Sequence, residues 1–173
     1  MAWRTGRDSL LAGHPQTPVA PGARAAFSGM PFFSYDPSWR LIGRLEPGVG
    51  EGAHAPDASF VPIGQVVVLR GALEVRLTLM WLDAYGGGLF LPFRDATCGD
   101  QTYGGGRYLL DQVKGADLGV DGTGELVLDF NFAYHPSCAH DPRWTCPLAP
   151  PGNVIAAPVR AGEMLPGAPD RQL

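Results

Sequence analysis

The sequence predicts a mainly β protein, a single antiparallel β-barrel or curved β-sandwich with a short N-terminal helix and a Pro-rich wrapping tail. Apolar residues make up 45% of the chain, enough to fill a core, whereas charged residues make up only 17%, too few to cover long solvated helices. The 24 glycines and 17 prolines indicate many turns between short strands. Segment 73–82 alternates apolar and polar residues, as a half-buried strand does.

The alternation in segment 73–82 also predicts which of its side chains face the core. Leu73, Val75, Leu77, Leu79 and Trp81 share one face, and Glu74, Arg76, Thr78 and Met80 share the other. Gly71 separates this segment from the apolar run at 63–70, so the two form a hairpin. Further strands are predicted at 39–45, 89–93, 104–110 and 124–132, with a short one near Val159 and six to eight strands in total.

The predicted strand at 124–132 brings two polar side chains together. Leu128 and Phe130 point to one face, so Asp129 and Asn131 point to the other. Residues two apart on a strand are about 7 Å apart, given the usual rise per residue. Asp129 and Asn131 are therefore candidates for one polar site.

The chain has the length of a single domain, and we expect three regions within it. Residues 1–26 form a helix, within 3–12, and an extended arm; residues 27–165 form the β-rich core; residues 166–173 form a frayed tail. The aromatic-rich loop at 27–39 packs onto the core, and the Gly/Pro-rich loop at 46–58 is the most flexible segment.

Charge and hydropathy argue against two classes of partner. The net charge is −4, Lys114 is the only lysine, and the arginines are scattered, so no basic stripe exists for nucleic acid. No apolar run is long enough to cross a membrane, and the N-terminus lacks an apolar signal core. We therefore expect a cytoplasmic protein that binds neither nucleic acid nor membrane; the sequence does not predict its oligomeric state.

Several long motifs resemble a known family. They are PFRDATCGDQTYGGGRYLL at 92–110, LDFNFAYHPSCA at 128–139, TCPLAPPGN at 145–153 and VRAGE at 159–163. With the N-terminal segment they resemble the shorter members of the bacterial domain of unknown function 1684, and longer members carry an extra N-terminal region. The resemblance covers nearly the whole chain. It implies family membership and no particular activity, because the family's name assigns none.

Polar residues of these motifs form the predicted functional site, centred on Arg94, Arg107 and Asp129. Arginine suits the capture of a carboxylate or phosphate, so we expect a small polar or anionic molecule as the ligand. The predicted ligand-binding residues are Arg94, Asp95, Thr102, Arg107, Tyr108, Asn131 and Tyr134. The predicted catalytic residues are Asp129, as a general base, and Tyr103.

Two other interpretations stay open. The chain could be a hydrolase- or lyase-type enzyme that uses Asp129, Tyr103 or a cysteine, so the sequence leaves open whether it is an enzyme at all. Alternatively, the motif residues only lock loops together in a structural or interaction domain, with Arg94 or Arg107 paired to Asp95 or Asp129. The glycines at 104–106 could cradle an anion, but a turn between strands fits them better, because a strand rather than a helix follows.

The three cysteines also leave alternatives. A disulfide between Cys138 and Cys146 would close a Pro-rich loop, although a cytoplasmic location argues against it, and two separate buried thiols are the alternative. His135, Cys138, His140 and Cys146 have the residue types of a zinc site. The resemblance disfavours zinc, because the family usually has Asn at 135 and no His at 140. We expect no metal and no cofactor; Glu163 joins the polar cluster or pairs with an arginine.

Overall fold

The computed structural model describes residues 2–48, 60–83, 87–111 and 115–169. The protein is mainly β: seven strands form a curled antiparallel half-barrel, preceded by one short helix, as the sequence predicted. The strands are β1 Arg40–Pro47, β2 Phe60–Arg70, β3 Leu73–Leu82, β4 Gly88–Asp95, β5 Arg107–Leu109, β6 Leu126–Asp129 and β7 Val154–Ile155. Their order is β5-β4-β3-β2-β1-β6, and β7 pairs with β4 in parallel.

In the part of the chain that the structure describes, helical structure occurs only as short segments beside the strands. Helix α1 is Ala2–Gly13, and 3-10 turns occur at Pro21–Ala26, Pro37–Trp39, Phe130–Phe132 and Ser137–Ala139. Within the described residues, no helix combines the length and the apolar character that crossing a bilayer would require.

The main core lies against one face of the β2–β3 hairpin. Val66 and Val68 of β2 and Leu77 and Leu79 of β3 are at most 1% exposed. Burial of each such side chain stabilises the fold by about 1.5 to 3 kcal/mol, so the hairpin is the main apolar platform. Three aromatic rings extend this core. The ring centroid of Phe130 lies 5.6 Å from that of Trp39 and 5.1 Å from that of Phe93, and both contacts are edge to face.

The far end of β3 departs from the predicted alternation. Met80, predicted to face outward, is fully buried, whereas Trp81, predicted to face inward, is 42% exposed. A register shift opposite this point, between Pro62 and Gly64 of β2, changes the pairing. A second apolar cluster that includes Phe90 also covers the outer face here. Both faces of β3 are therefore buried over residues 77–80.

Three predicted strands have different bounds in the structure. The strand predicted at 104–110 begins only at Arg107, because Gly104 and Gly105 form a turn. The strand predicted at 124–132 ends at Asp129, whose side chain caps the following 3-10 turn by accepting from the Asn131 N–H. The short strand expected near Val159 is instead β7, which pairs with Arg94 and Asp95.

Three other predicted segments are only partly described. The predicted flexible loop at 46–58 lies outside the described residues from position 49 onward, and the strand predicted at 89–93 is preceded by residues 84–86, which also lie outside them. In the tail, Gln101 Nε2 donates to the Pro169 carbonyl at 2.8 Å, and 170–173 lie outside the described residues.

The tail passes through a narrow space at Gly162. This residue has φ +81°, and a Cβ atom there would lie 2.4 Å from the Ala133 carbonyl oxygen and 2.8 Å from that of Phe130. The backbone on both sides is bonded: the Phe33 N–H donates to the Gly162 carbonyl and the Glu163 N–H to that of Ala133. Only glycine meets both the conformational and the steric requirement.

We expect Gly162→Ala to lower the free energy of unfolding by about 3 kcal/mol, since it combines a left-handed backbone with a clash against main-chain atoms. The matched control is Gly167→Ala, at φ +76° with open space around its Cβ position. Chemical denaturation measures both. Equal losses in the two variants would show that the close approach at Gly162 has no energetic weight.

Candidate functional site

The Arg107 side chain is fully buried and binds the tail of the chain. Nη2 donates to Asp95 Oδ2 at 2.9 Å and to the Val159 carbonyl at 2.7 Å. Nη1 donates to the carbonyl oxygens of Ala161 and of Glu163, the latter at 3.2 Å. Arg107 is 0% exposed, and among the described residues its Nε has no acceptor. The guanidinium therefore holds alternate carbonyls of one extended segment.

The Asp95 carboxylate is saturated from inside the protein. Oδ1 accepts from the Thr97 N–H at 2.8 Å, the Thr97 hydroxyl at 2.6 Å and the Val159 N–H at 3.1 Å. The Thr97 hydroxyl is also 2.8 Å from that of Thr102, which is 0% exposed. Asp95, Thr102 and Arg107 thus form one closed network, the Arg107 network.

Arg94 points away from this network. Its backbone pairs with β7, and its side chain is exposed. Neighbouring residues on a strand point to opposite faces, so the burial of Asp95 places Arg94 on the surface. The structure therefore separates Arg94 from Arg107.

A second buried ion pair joins helix α1 to the tail. Arg7 Nε donates to Glu163 Oε1 at 2.8 Å, and Arg7 Nη2 donates to the His135 carbonyl at 3.1 Å. The His135 N–H donates to Glu163 Oε2 at 2.6 Å, and its ring Nε2 accepts from the Tyr103 N–H at 3.2 Å. Burial, and then the positive charge of Arg107, holds the pKa of His135 well below its ordinary value. The imidazole is therefore neutral.

Asp129 and Asn131 hold the loop that carries Tyr35. Asn131 Oδ1 accepts from the Asp36 N–H and Nδ2 donates to the Asp36 carbonyl, both at 2.9 Å. Asp129 Oδ1 accepts from the Asn131 N–H at 3.0 Å and from Nδ2 at 2.8 Å. The second oxygen, Oδ2, lies 3.5 Å from the Tyr35 hydroxyl and 3.9 Å from Arg40 Nε. Asp129 is only 3% exposed, and the Tyr35 side chain that lies beside it is exposed.

Two predicted tyrosines lie beside the cysteine pair. The Tyr108 hydroxyl donates to the Pro147 carbonyl. The Cys138 N–H donates to Cys146 Sγ at 3.2 Å, and both cysteines are free thiols, so the predicted disulfide is not formed in this structure. A hydrogen bond with Cys138, and then burial, raises the pKa of Tyr103, while burial followed by the Cys146 charge raises that of Tyr108. Both phenols stay protonated at neutral pH.

Tyr134 is anchored between the core and helix α1. Its hydroxyl donates to Asp111 Oδ2, and the Arg7 guanidinium lies 4.9 Å from its ring centroid. Burial, and then the Asp111 charge, raises its pKa well above the ordinary value. Its main chain also pairs with Tyr108 in an isolated bridge.

The predicted site residues therefore separate into three groups. Asp95 and Thr102 join Arg107; Asn131 joins Asp129; Tyr103 and Tyr108 join the cysteine pair. The single site that the sequence predicted is therefore divided, because among the described residues no hydrogen bond or ion pair links Arg107 to Asp129. The ligand-binding and catalytic roles of these residues stay predictions.

A cavity of about 440 Å³ opens beside the Asp129 group. We call it the Tyr35 cleft; it is lined chiefly by Ser34, Tyr35, Asp36, Trp39, Arg70 and Arg160. A second cavity of about 400 Å³ shares Ser34 and Tyr35 with it, and Trp3, Arg4, Asn131 and Phe132 complete its lining. We call this the aromatic cavity. Tyr35 lies between the two and is 55% exposed.

Two arginines give the Tyr35 cleft its charge. The Arg70 guanidinium lies 4.2 Å from the Trp39 ring centroid and donates to Ser38 Oγ at 2.6 Å and to the Ser38 carbonyl at 3.1 Å. Its ion-pair distance to Asp36 is 3.8 Å. Arg160 Nε donates to Gln101 Oε1 at 3.2 Å. Two cations against one carboxylate make the lining net positive.

The sequence analysis missed several residues that organise the site. Asn153 is 1% exposed; its Oδ1 accepts from the Thr78 N–H at 2.7 Å, and its Nδ2 donates to the Thr78 and Pro92 carbonyls. Arg7 and the two cleft arginines were also missed. Asn153 and Arg160 lie within the motifs that carry the family resemblance, and this position in the motifs could have identified them from the sequence. Arg70 carries no comparable signal, since it ends an ordinary strand.

The metal-ligating side chains are dispersed. Among the described residues, no three His, Cys, Asp or Glu side chains are grouped so that they could hold a metal ion.

The chain was compared with protein families, solved structures and curated proteins, and the first two comparisons gave matches. A model of the family described as "Protein of unknown function (DUF1684)" matches residues 25–164. The chain is also similar to the solution NMR structure of the uncharacterized protein from gene locus rrnAC0354 of Haloarcula marismortui. The TM-score is 0.73 and the identity 31%, over 96% of this chain and 92% of that chain. A search of curated proteins gives no match.

We expect Asp95→Ala to lower the free energy of unfolding by about 3 to 5 kcal/mol, because it leaves the Arg107 charge buried without its carboxylate. The matched control is Glu74→Ala, which removes a carboxylate paired with Arg76 on the exposed face of β3 and should change stability little. Urea denaturation compares the two. Equal losses would contradict a dominant role for the buried pair.

Stability should fall as the pH is lowered from about 7 to about 5, because two histidines bind protons more weakly when folded. Burial, and then the Arg7 charge, lowers the pKa of His140 to about 4, and that of His135 is also lowered. Both groups are neutral when folded but protonate on unfolding below the unfolded pKa of about 6.5. Their stabilising effect is therefore complete above that pH and decreases below it. Denaturation at several pH values measures the slope.

The variant His140→Gln should reduce this slope, and His14→Gln, at an exposed histidine, should leave it unchanged. A slope that His140→Gln does not alter would show that this histidine does not couple folding to protons.

Proposed function

Because the chain belongs to the DUF1684 family, whose description assigns no activity, we propose a function from its own geometry: it binds a small anionic molecule in the Tyr35 cleft. The observation that carries this proposal is the placement of Arg70 and Arg160 in the lining of one open cavity of about 440 Å³. This volume lies within the range of small-molecule sites.

Arg70 is already oriented for binding an anion. Its guanidinium is stacked on Trp39 and fixed by two hydrogen bonds to Ser38. A fixed guanidinium loses little side-chain entropy when it binds a carboxylate or phosphate, and it can bind either in a bidentate manner. The ordered arginine therefore favours an anionic ligand over a neutral one.

Arg160 supplies the second positive charge from the tail. Among the described residues Arg160 forms no ion pair, and its side-chain hydrogen bond, to Gln101, uses only Nε. The neighbouring Val159 and Ala161 are bound to Arg107, which fixes the backbone from which Arg160 projects. The Arg107 network thus acts on the cleft indirectly, by positioning the tail, while Arg107 itself is fully buried.

The adjoining aromatic cavity favours a ligand that also has an apolar or planar part. Trp3 and Phe132 lie there with their ring centroids 5.2 Å apart, and Asn131 closes one side. Since Tyr35 lines both cavities, a molecule with an anionic group in the Tyr35 cleft can extend a ring past Tyr35.

A catalytic function is the second candidate, and Asp129 supports it. Its Oδ2 has a long, 3.5 Å contact with the Tyr35 hydroxyl, so movement of Tyr35 would open the carboxylate to a ligand as a general base. Tyr103 is a weaker candidate, because its phenol lies beside Cys138 and does not line the Tyr35 cleft. The cytoplasmic location and the bacterial origin also remain predictions.

Tryptophan indole N–H signals in NMR spectra would test the binding proposal. Of the four tryptophans, Trp39 lines the Tyr35 cleft and Trp3 the aromatic cavity. Trp81 is exposed elsewhere and serves as the internal control. We expect inorganic phosphate to shift the Trp39 signal saturably, and salicylate to shift those of both Trp39 and Trp3, with Trp81 unchanged.

Arg160→Gln should weaken this binding about tenfold, the loss expected for one charge-assisted hydrogen bond. Arg94→Gln, at an exposed arginine that does not line the cleft, is the matched control and should bind normally. The proposal is wrong if none of these anions shifts Trp39. It is also wrong if Arg94→Gln weakens binding and Arg160→Gln does not.

A further inference from the structure

The Cys138–Cys146 pair lies apart from the Tyr35 cleft and shares no lining residue with it. The two cysteines are eight positions apart on one Pro-rich loop, and the Cys138 N–H donates to Cys146 Sγ at 3.2 Å. The Cys138 side chain is also close enough to contribute to the raised pKa of Cys146. Both residues are partly exposed. The sulfur atoms are therefore adjacent, reduced and within reach of a small solute.

Two tyrosines enclose the pair. The Tyr103 phenol lies beside Cys138, and the Tyr108 phenol lies beside Cys146 and donates to the Pro147 carbonyl. The 3.2 Å approach of Cys146 Sγ to the Cys138 main chain brings the two cysteines together, as disulfide formation requires.

We propose that Cys138 and Cys146 are a redox modification site, at which a small peroxide converts the two thiols into a disulfide. One hydrogen peroxide molecule accepts two electrons, one from each sulfur atom. The O–O bond breaks, the S–S bond forms, and the two thiol protons leave in two water molecules.

The two cysteines have different parts in this reaction. Cys138, as thiolate, attacks one peroxide oxygen and becomes a sulfenic acid with release of hydroxide. The Cys146 sulfur then displaces the sulfenic hydroxyl as a second hydroxide, while its own proton and that of Cys138 convert the two hydroxides to water. Burial raises the pKa of Cys146 to about 11, so this thiol is protonated at neutral pH and is the poorer first nucleophile; it therefore takes the second, resolving step.

Oxidation would fix the loop that bears the pair. The disulfide would close residues 138–146 covalently, next to the Pro147 carbonyl that Tyr108 binds. Closing a loop restricts the unfolded chain, so the oxidised protein should melt at a higher temperature than the reduced protein.

Intact mass and peptide mapping of the full chain, after titration with hydrogen peroxide, test the proposal. We expect the loss of two hydrogen atoms per chain and one peptide linkage, Cys138 to Cys146, that reductant reverses. Cys98→Ser is the matched control, because Cys98 is a partly exposed thiol held by Asp95 and Thr102, and this variant should oxidise like the parent.

Two further variants separate the two roles. Cys146→Ser should accumulate sulfenic acid on Cys138, seen as a dimedone adduct at least about tenfold above that of Cys138→Ser. The proposal is overturned if the parent protein accumulates sulfinic or sulfonic acid with no disulfide, or if the disulfide includes Cys98. Equal dimedone labelling of the two variants would overturn the assignment of roles.

Discussion

One guanidinium without access to solvent organises this fold. A buried arginine is destabilising unless its charge and its N–H groups find partners, and Arg107 finds them in Asp95 and in three carbonyl groups. These carbonyls belong to Val159, Ala161 and Glu163, alternate residues that present one edge of an extended segment. Arg107 thus takes the place of a neighbouring strand, and the position of the tail follows from this bond pattern.

Two asparagine side chains repeat this solution elsewhere. Asn131 both donates to and accepts from the main chain of Asp36, and Asn153 does the same with Thr78. In each case an amide side chain copies the donor and acceptor of a paired strand residue. A chain with many prolines cannot supply a full backbone ladder, because proline has no N–H. Buried polar side chains bond these main-chain groups instead, and two of them, Arg107 and Asn131, in doing so hold the segments that bring Arg160 and Asp36 to the Tyr35 cleft.

The sequence predicted the fold class and most strands, because the period-2 pattern of the hairpin is a local property. It failed at Met80, where a second cluster covers the other face of β3. It grouped Arg94 with Arg107, although strand alternation sends the first outward and neighbouring Asp95 inward. It also missed Arg70, because convergence on a cavity depends on tertiary positions that no local pattern encodes. The paired roles of Asp129 and Asn131 in the Tyr35 loop likewise depend on a turn that ends β6 early.

Amide hydrogen exchange in the tail tests the role of Arg107 most directly. The Val159 N–H donates to Asp95 Oδ1, inside the Arg107 network, although Val159 lies in no strand. If side chains hold the tail as firmly as a ladder would, this amide should be as strongly protected as those of Val66 and Leu77 in the hairpin. Exchange of the Val159 amide as fast as that of the exposed Gly122, while the hairpin stays protected, would contradict the account.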